Sequence, residues 1–463
     1  MTWAHSLPAT PGVVRGERVA VAGGIMPATL HLAGGRIMRL SHVDDLGGAR
    51  ATDVLDAGTL LVIPGLVDTH VHVNEPGRTE WEGFDSATHA AAAGGVTTLL
   101  DMPLNSIPAT TKPQALDKKR ASAARKCHVD VGFLGGLVPG NVGDLPQLWA
   151  EGVFGFKCFL APSGVDEFRN VSLSDLDKAM PTLARLRAPL LVHAELPAQL
   201  DAAAAELRDD DPRQYATYLA SRPPSAEVEA TRAILDFARR YNVRVHIVHV
   251  STSEVAPMLR DARADRILVT AETCPHYLAF SAEQIPDGAT QFKCAPPIRD
   301  NANREKLWRA LTEGVIDSIV SDHSPCPPSL KRTERGDFFE AWGGVASLEL
   351  TLAVIITQMR ARSIPLGHLA RWMCEAPASL AGLQRLKGRL APGLQADLVL
   401  VDDAESFVVD PQRLHQRHPV TPYAGLSLHG RVRATYLRGQ LTCTDGELVG
   451  PPAGRLLRRE GVA

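Results

Sequence analysis

The chain has 463 residues, with 49 basic and 52 acidic side chains and a formal net charge of -3. That near-balance, without a basic stripe or an acidic tail, argues against a nucleic-acid partner and leaves small uncharged or anionic substrates open. The length can bury a large core, in roughly two to three domains unless a barrel absorbs most of it.

No apolar run approaches the length of a membrane span, and Met1-Thr2-Trp3-Ala4-His5-Ser6 lacks the charged and then apolar segments of a signal peptide. The expectation is a cytoplasmic protein with no membrane partner. The seven cysteines fall at irregular spacings with no Cys-x-x-Cys, which predicts reduced, mostly buried thiols rather than a disulfide framework.

In chain order, residues 1–62 hold short β-like pieces broken by glycine, at 18–22, 28–32 and 36–40. The same texture returns at 397–401 and 432–437, after the turn Ala391-Pro392-Gly393. One β-domain built from both chain ends is expected, from residues 1–62 and 386–463. Between them, residues 63–385 alternate strand-like runs with helical patterns, which predicts parallel βα units. The runs lie at 61–73, 96–101, 128–134, 153–159, 189–194, 243–250, 266–272 and 316–321. Eight is the number a (β/α)8 barrel needs. Helices are expected at 82–93, 226–240 and 302–312, and an exposed helix or loop at 201–211.

In such barrels chemistry sits where the strands end. The first run ends in His70-Val71-His72, whose imidazoles share a face because side chains alternate along a strand. Two such imidazoles suit a divalent metal. Lys157 ends the fourth run, His193 the fifth, His249 the sixth and Asp322 the eighth. Strand parity places Val245, Ile247 and His249 on the inner face and turns His246 toward the helices. A protonated lysine would repel a metal and is costly to bury. Carboxylation of Lys157 by carbon dioxide (N6-carboxylysine) would give an anionic carbamate able to bridge two cations.

Asp68-Thr69-His70-Val71-His72, Lys157, His193, His249 and Asp322, in this order, resemble the cyclic amidohydrolases: dihydroorotases, hydantoinases, dihydropyrimidinases and allantoinases. The resemblance covers nearly the whole chain and implies an α/β fold, a (β/α)8 TIM barrel with a small β-sandwich domain formed from both ends. Within the group the details are most similar to allantoinases. Asn74 stands where dihydroorotases usually carry an arginine for a substrate carboxylate, and Pro162 where hydantoinases usually carry a tyrosine. Asp101-Met102-Pro103-Leu104-Asn105-Ser106, Lys293-Cys294-Ala295-Pro296-Pro297-Ile298-Arg299 and Trp342-Gly343-Gly344 add to the likeness. Ser347 departs from it, since glycine is expected there.

The resemblance implies hydrolysis of the ring amide of a cyclic ureide, allantoin to allantoate. The alternatives are a hydantoinase or dihydropyrimidinase and, in another class, a non-catalytic scaffold homologue. Two divalent metals would polarise the amide carbonyl and lower the pKa of bridging water toward ~7. Zinc suits the ligands; iron, cobalt, manganese or nickel would also fit. The expected metal ligands are His70, His72, Lys157, His193, His249 and Asp322, with Asp322 also moving the proton. Substrate contacts are expected from Asn74, Asn105, Ser163, Ala295 and Gly343. Asp68 would either orient a ligand imidazole or serve a strand-end hydrogen bond. His276 would either touch a ligand or substrate or brace a turn, and His323 would brace its loop. A homo-oligomer, tetramer or dimer, is expected.

Overall fold

The computed structural model describes residues 7–207 and 209–459. The terminal stretch Met1 to Ser6, on which the leader reading rests, and Arg208 lie outside the described residues.

The barrel is made of eight parallel strands: Leu66–Val71, Val96–Asp101, Asp130–Phe133 continued by Gly135–Gly136, Phe156–Phe159, Leu190–His193, Val245–Ile247, Val269–Thr273 and Ser318–Ile319. The first three pair side by side, and the run from Gly135 to Ile319 pairs in sequence order. The third strand joins the two sets, because Asp130–Phe133 pairs with the second strand and Gly135–Gly136 with the fourth. The ring closes where the His72 N–H donates to the His323 carbonyl at 2.8 Å, beside a parallel bridge between Val71 and His323. Expected helices appear as Phe84–Ala93, Pro224–Tyr241 and Asn301–Thr312, and the alanine-rich acidic stretch begins as the helix Pro197–Glu206. Among the described residues no helix is long and apolar enough to cross a membrane.

Both chain ends build a nine-stranded sheet. Val13–Val21, Gly24–Ala33 and Arg36–Ser41 form its N-terminal part, and Leu398–Val408 and Ser427–Leu437 anchor the C-terminal part. Its apolar core is separate from the barrel's and includes Val14, Leu30, Val62, Leu398, Leu400 and Tyr436. The sheet curls back on itself, since Ile37 at its edge accepts and donates hydrogen bonds with Gly393 and Leu394, just before Leu398.

The apolar run at 61–73 is two strands, not one. Leu61–Pro64 pairs antiparallel with the strand starting at Leu398, and Leu66–Val71 enters the barrel. The break is at Gly65, whose N–H donates to the Asp397 carbonyl at 2.8 Å. A Cβ there would lie 2.2 Å from Thr97 Oγ1, so only glycine lets the chain pass from sheet to barrel at this point.

Candidate active site

His70, His72, Lys157, His193, His249 and Asp322 are all buried and meet at the C-terminal mouth of the barrel. His70 Nε2 lies 3.1 Å and His72 Nε2 3.6 Å from Asp322 Oδ1. The ligating atoms of these three lie within 4.8 Å of one another, a spacing that can hold one cation. Across the mouth, His193 Nδ1 faces His249 Nε2 at 3.0 Å. Lys157 Nζ sits 5.0 Å over the Phe159 ring, which stacks on His193 with centroids 4.5 Å apart. His249 and Asp322 both have left-handed backbones, φ 39 and 44, an uncommon conformation for such residues and one that clusters at functional sites.

Each imidazole is held from behind. His70 Nδ1–H donates to Glu272 Oε1 at 2.5 Å, which leaves Nε2 as the lone-pair nitrogen facing Asp322. The other Glu272 oxygen accepts from His246 Nε2 at 2.9 Å, and His246 Nδ1 meets Thr270 Oγ1 at 2.7 Å. His193 Nε2–H donates to Glu195 Oε2 at 2.7 Å, so its Nδ1 is the lone-pair nitrogen, facing His249 Nε2. Glu195 in turn takes both prongs of the Arg222 guanidinium. Such partners fix ring orientation and raise the basicity of a ligating histidine.

His246 corrects the parity reading. It pairs in register with Leu191 and Thr270, and Leu191 pairs with Lys157, so all four share the inner face. Val245 and Ile247 instead pack outward, into the core shared with the helices. The regular strand stops at Ile247, and the left-handed turn at His249 resets the alternation so that its ring also enters the site. Glu272 was missed, and its one local signal is a carboxylate two residues past Thr270 within the strand Val269–Thr273. Arg222 and Glu195 carried only the weaker signal of an acid two residues past His193.

The residues with open readings fall as follows. Asp68 makes strand-end bonds, accepting from the His70 and Ser321 N–H groups at 3.0 Å each. His323 braces its loop: Nε2 meets Glu82, and Nδ1 accepts from the Ser347 and Leu348 N–H groups. The Ser347 hydroxyl donates to the Ser321 carbonyl at 2.8 Å, so it supports the eighth strand.

The mouth opens into a cavity of about 510 Å³ lined by His70, His72, His193, His249 and Asp322 and by Asn105, Ser163, Ala295 and Gly343, with Arg222, Lys293 and Trp342 on its walls; Lys157 lies behind this lining. Asn74 is not among the lining residues; its amide donates to the Pro325 carbonyl at 3.4 Å and it is fully buried. Its left-handed backbone, φ 68, suits an asparagine that shapes the turn rather than one that reaches a ligand. Asn105 Nδ2 lies 3.4 Å from His72 Nδ1, and the Ser163 hydroxyl donates within its own loop to the Phe168 carbonyl at 2.5 Å. Arg78 ties three mouth loops together, donating to the Asn105 carbonyl and pairing with Glu167.

Burial pushes His70 and His249 well below the usual imidazole range and lowers His193 too, so their neutral, ligating forms prevail. Burial likewise pushes the Lys157 amine down to about 8, toward the unprotonated form that adds to carbon dioxide. Burial also presses the Asp322 carboxyl upward, but His72, His276 and Lys157 outweigh it and hold the group below its ordinary value. Among the described residues, Lys157 Nζ, His249 Nδ1 and both His276 nitrogens are buried and find no hydrogen-bond partner. Orphaned polar atoms around converging imidazoles and a carboxylate are costly in a protein alone and fit a site built for divalent cations.

The model of the amidohydrolase family matches residues 61–442. The chain is 49% identical to the allantoinase of Streptomyces avermitilis over 450 residues, 97% of this chain and 98% of that protein. It is 42% identical to the allantoinase of Arabidopsis thaliana over 458 residues, covering 96% and 90% of the two chains. Among solved structures, an L-hydantoinase (dihydropyrimidinase) from Arthrobacter aurescens superposes with a TM-score of 0.91 at 30% identity, covering 97% of this chain and all of that one.

Proposed function

Because this chain belongs to the amidohydrolase family, we propose that it hydrolyses the ring amide of allantoin to give allantoate. The choice of ring rests on the 49% identity to the Streptomyces avermitilis allantoinase over essentially both full lengths. The likeness to an L-hydantoinase (dihydropyrimidinase) is lower, at 30% identity. The family and the donor set together imply a divalent metal centre.

His70, His72 and Asp322 would hold one cation and His193 and His249 the other, with carboxylated Lys157 between them. When bound, such cations polarise an amide carbonyl and let water act as a nucleophile near neutral pH. Nitrogen and carboxylate ligands suit zinc, and iron, cobalt, manganese and nickel are the alternatives. The remaining work belongs to the chain. Glu272 and Glu195 orient His70 and His193, so the ligand lone pairs are aimed before any ion arrives. Asp322 accepts the proton of the attacking water and delivers it to the leaving ring nitrogen. Its low pKa makes it a weak base, so the transfer depends on proximity and on the basicity of the departing amine. The backbone around Ala295 and Gly343 offers flat hydrogen-bonding edges to the ring carbonyls and N–H groups. Assembly into a dimer or tetramer belongs to the same proposal. Parallel assays with allantoin, hydantoin, dihydrouracil and dihydroorotate test the reading: allantoin is expected to be opened fastest, and preference for another ring would replace it.

A further inference from the structure

Apart from the metal-ligand candidates, two cationic side chains line the cavity, Arg222 and Lys293. Arg222 is spent on Glu195. Among the described residues no carboxylate lies within ion-pair distance of Lys293. Its amine donates to the Phe339 carbonyl at 3.0 Å and the Ala341 carbonyl at 2.5 Å, and it lies 5.4 Å from the Tyr218 ring centre. A lysine amine has more hydrogen-bonding capacity than two carbonyls use. Gly343 borders the space beside it: a Cβ there would stand at ordinary contact distance, 3.9 Å, from both Lys293 Cε and the Ala295 nitrogen.

We propose that Lys293 is a specificity-determining residue that binds the ureido arm of the substrate through the hydrogen-bonding position its amine does not use on Phe339 and Ala341. This deepens the proposed allantoinase function and rests on it. The arm is what distinguishes allantoin from hydantoin, and its urea group carries both a strong acceptor and N–H donors. Protonated, the Lys293 amine offers a third N–H to the urea carbonyl; unprotonated, it keeps two N–H groups and offers a lone pair to a urea N–H. Both forms therefore match a urea, whereas only the protonated form matches a carboxylate. Burial, with Lys331 and Arg222 nearby, pushes this amine down to about 7, so both forms are present at neutral pH. Lys331 is different. It donates to the carbonyls of Thr290, Lys293 and Trp342, does not line the cavity, and holds the loop rather than the ligand.

The test measures affinity calorimetrically for allantoin and for hydantoin, which lacks the arm, in metal-loaded protein carrying Asp322→Asn so that ring opening is slowed by about 10²–10⁴. Adding Lys293→Gln, which keeps donors for the loop carbonyls, is expected to weaken allantoin about tenfold or more and to leave hydantoin within about twofold. Lys293→Met should show the same contrast, and Lys331→Met should weaken both ligands alike. Equal loss for the two ligands in Lys293→Gln, no loss for either, or no binding of allantoin before Lys293 is changed would each overturn the proposal. Failure of the wild-type protein to open allantoin is read separately and would remove the proposed function instead.

Discussion

Asp322 lies within reach of both His70 and His72, and it is the one candidate ligand that can also carry a proton from water to the leaving nitrogen. Replacing it with asparagine keeps an oxygen for the cation and removes the proton carrier. Asp322→Asn is expected to retain bound metal and lose about 10²–10⁴ in turnover; near-normal turnover would reject its role. Glu272 acts one step further back, by holding His70 Nδ1–H at 2.5 Å. Glu272→Gln should weaken metal binding by about 10–100-fold, read by competition with a chelator. An unchanged affinity would mean that His70 needs no such support.

At the scale of elements, the ends of the strands were the legible part. His70, His72, Lys157, His193, His249 and Asp322 each close a run whose apolar pattern and flanks are visible in the sequence, and they do converge at one mouth. Parity within those runs was less legible. It assumes an unbroken strand, and the left-handed residue at His249 breaks the alternation and reverses what His246 faces. Glu272 was missed for a related reason: its partner, His70, is 202 residues away, and no local spacing encodes that contact. The run at 61–73 misled because apolar continuity says nothing about which sheet a strand joins. Gly65 marks the change, and its reason is the Thr97 side chain opposite. Gly65→Ala is therefore expected to destabilise the fold by about 1–3 kcal/mol in denaturant unfolding, with part recovered by adding Thr97→Ala. Full stability of the single variant would show that the crossing tolerates a side chain.

For the whole molecule, the barrel and the two-ended sheet are locked by a buried ionic cluster. Lys387 Nζ lies 2.8 Å from Asp130 on the third barrel strand and 2.5 Å from Asp397, just before the strand Leu398–Val408. Arg438, at the end of the strand Ser427–Leu437, binds both oxygens of Asp130 at 2.6 and 2.7 Å. Burial presses the Asp130 carboxyl upward, but Lys387 and Arg438 outweigh it and hold the group below its ordinary value. An acid depressed in the folded state adds stability that is present above its unfolded pKa, near 3.8, and is lost as pH falls through the folded value. Acidification from neutral should therefore cost this contribution only below about pH 4. Lys387→Met leaves two buried carboxylates short of a cation and should cost about 3–5 kcal/mol, visible as a lower melting temperature; an unchanged transition would mean that the cluster does not hold the two parts together.

The site as a whole is tested by one titration: the rate of allantoin hydrolysis measured against divalent metal bound per chain, as metal and bicarbonate are returned to chelator-stripped protein. The account predicts that stripped protein is inactive and that the rate rises to a plateau at two metals per chain, in proportion to carboxylated Lys157. Allantoin hydrolysis that survives in metal-free protein, or fully loaded protein that leaves allantoin intact, would contradict it.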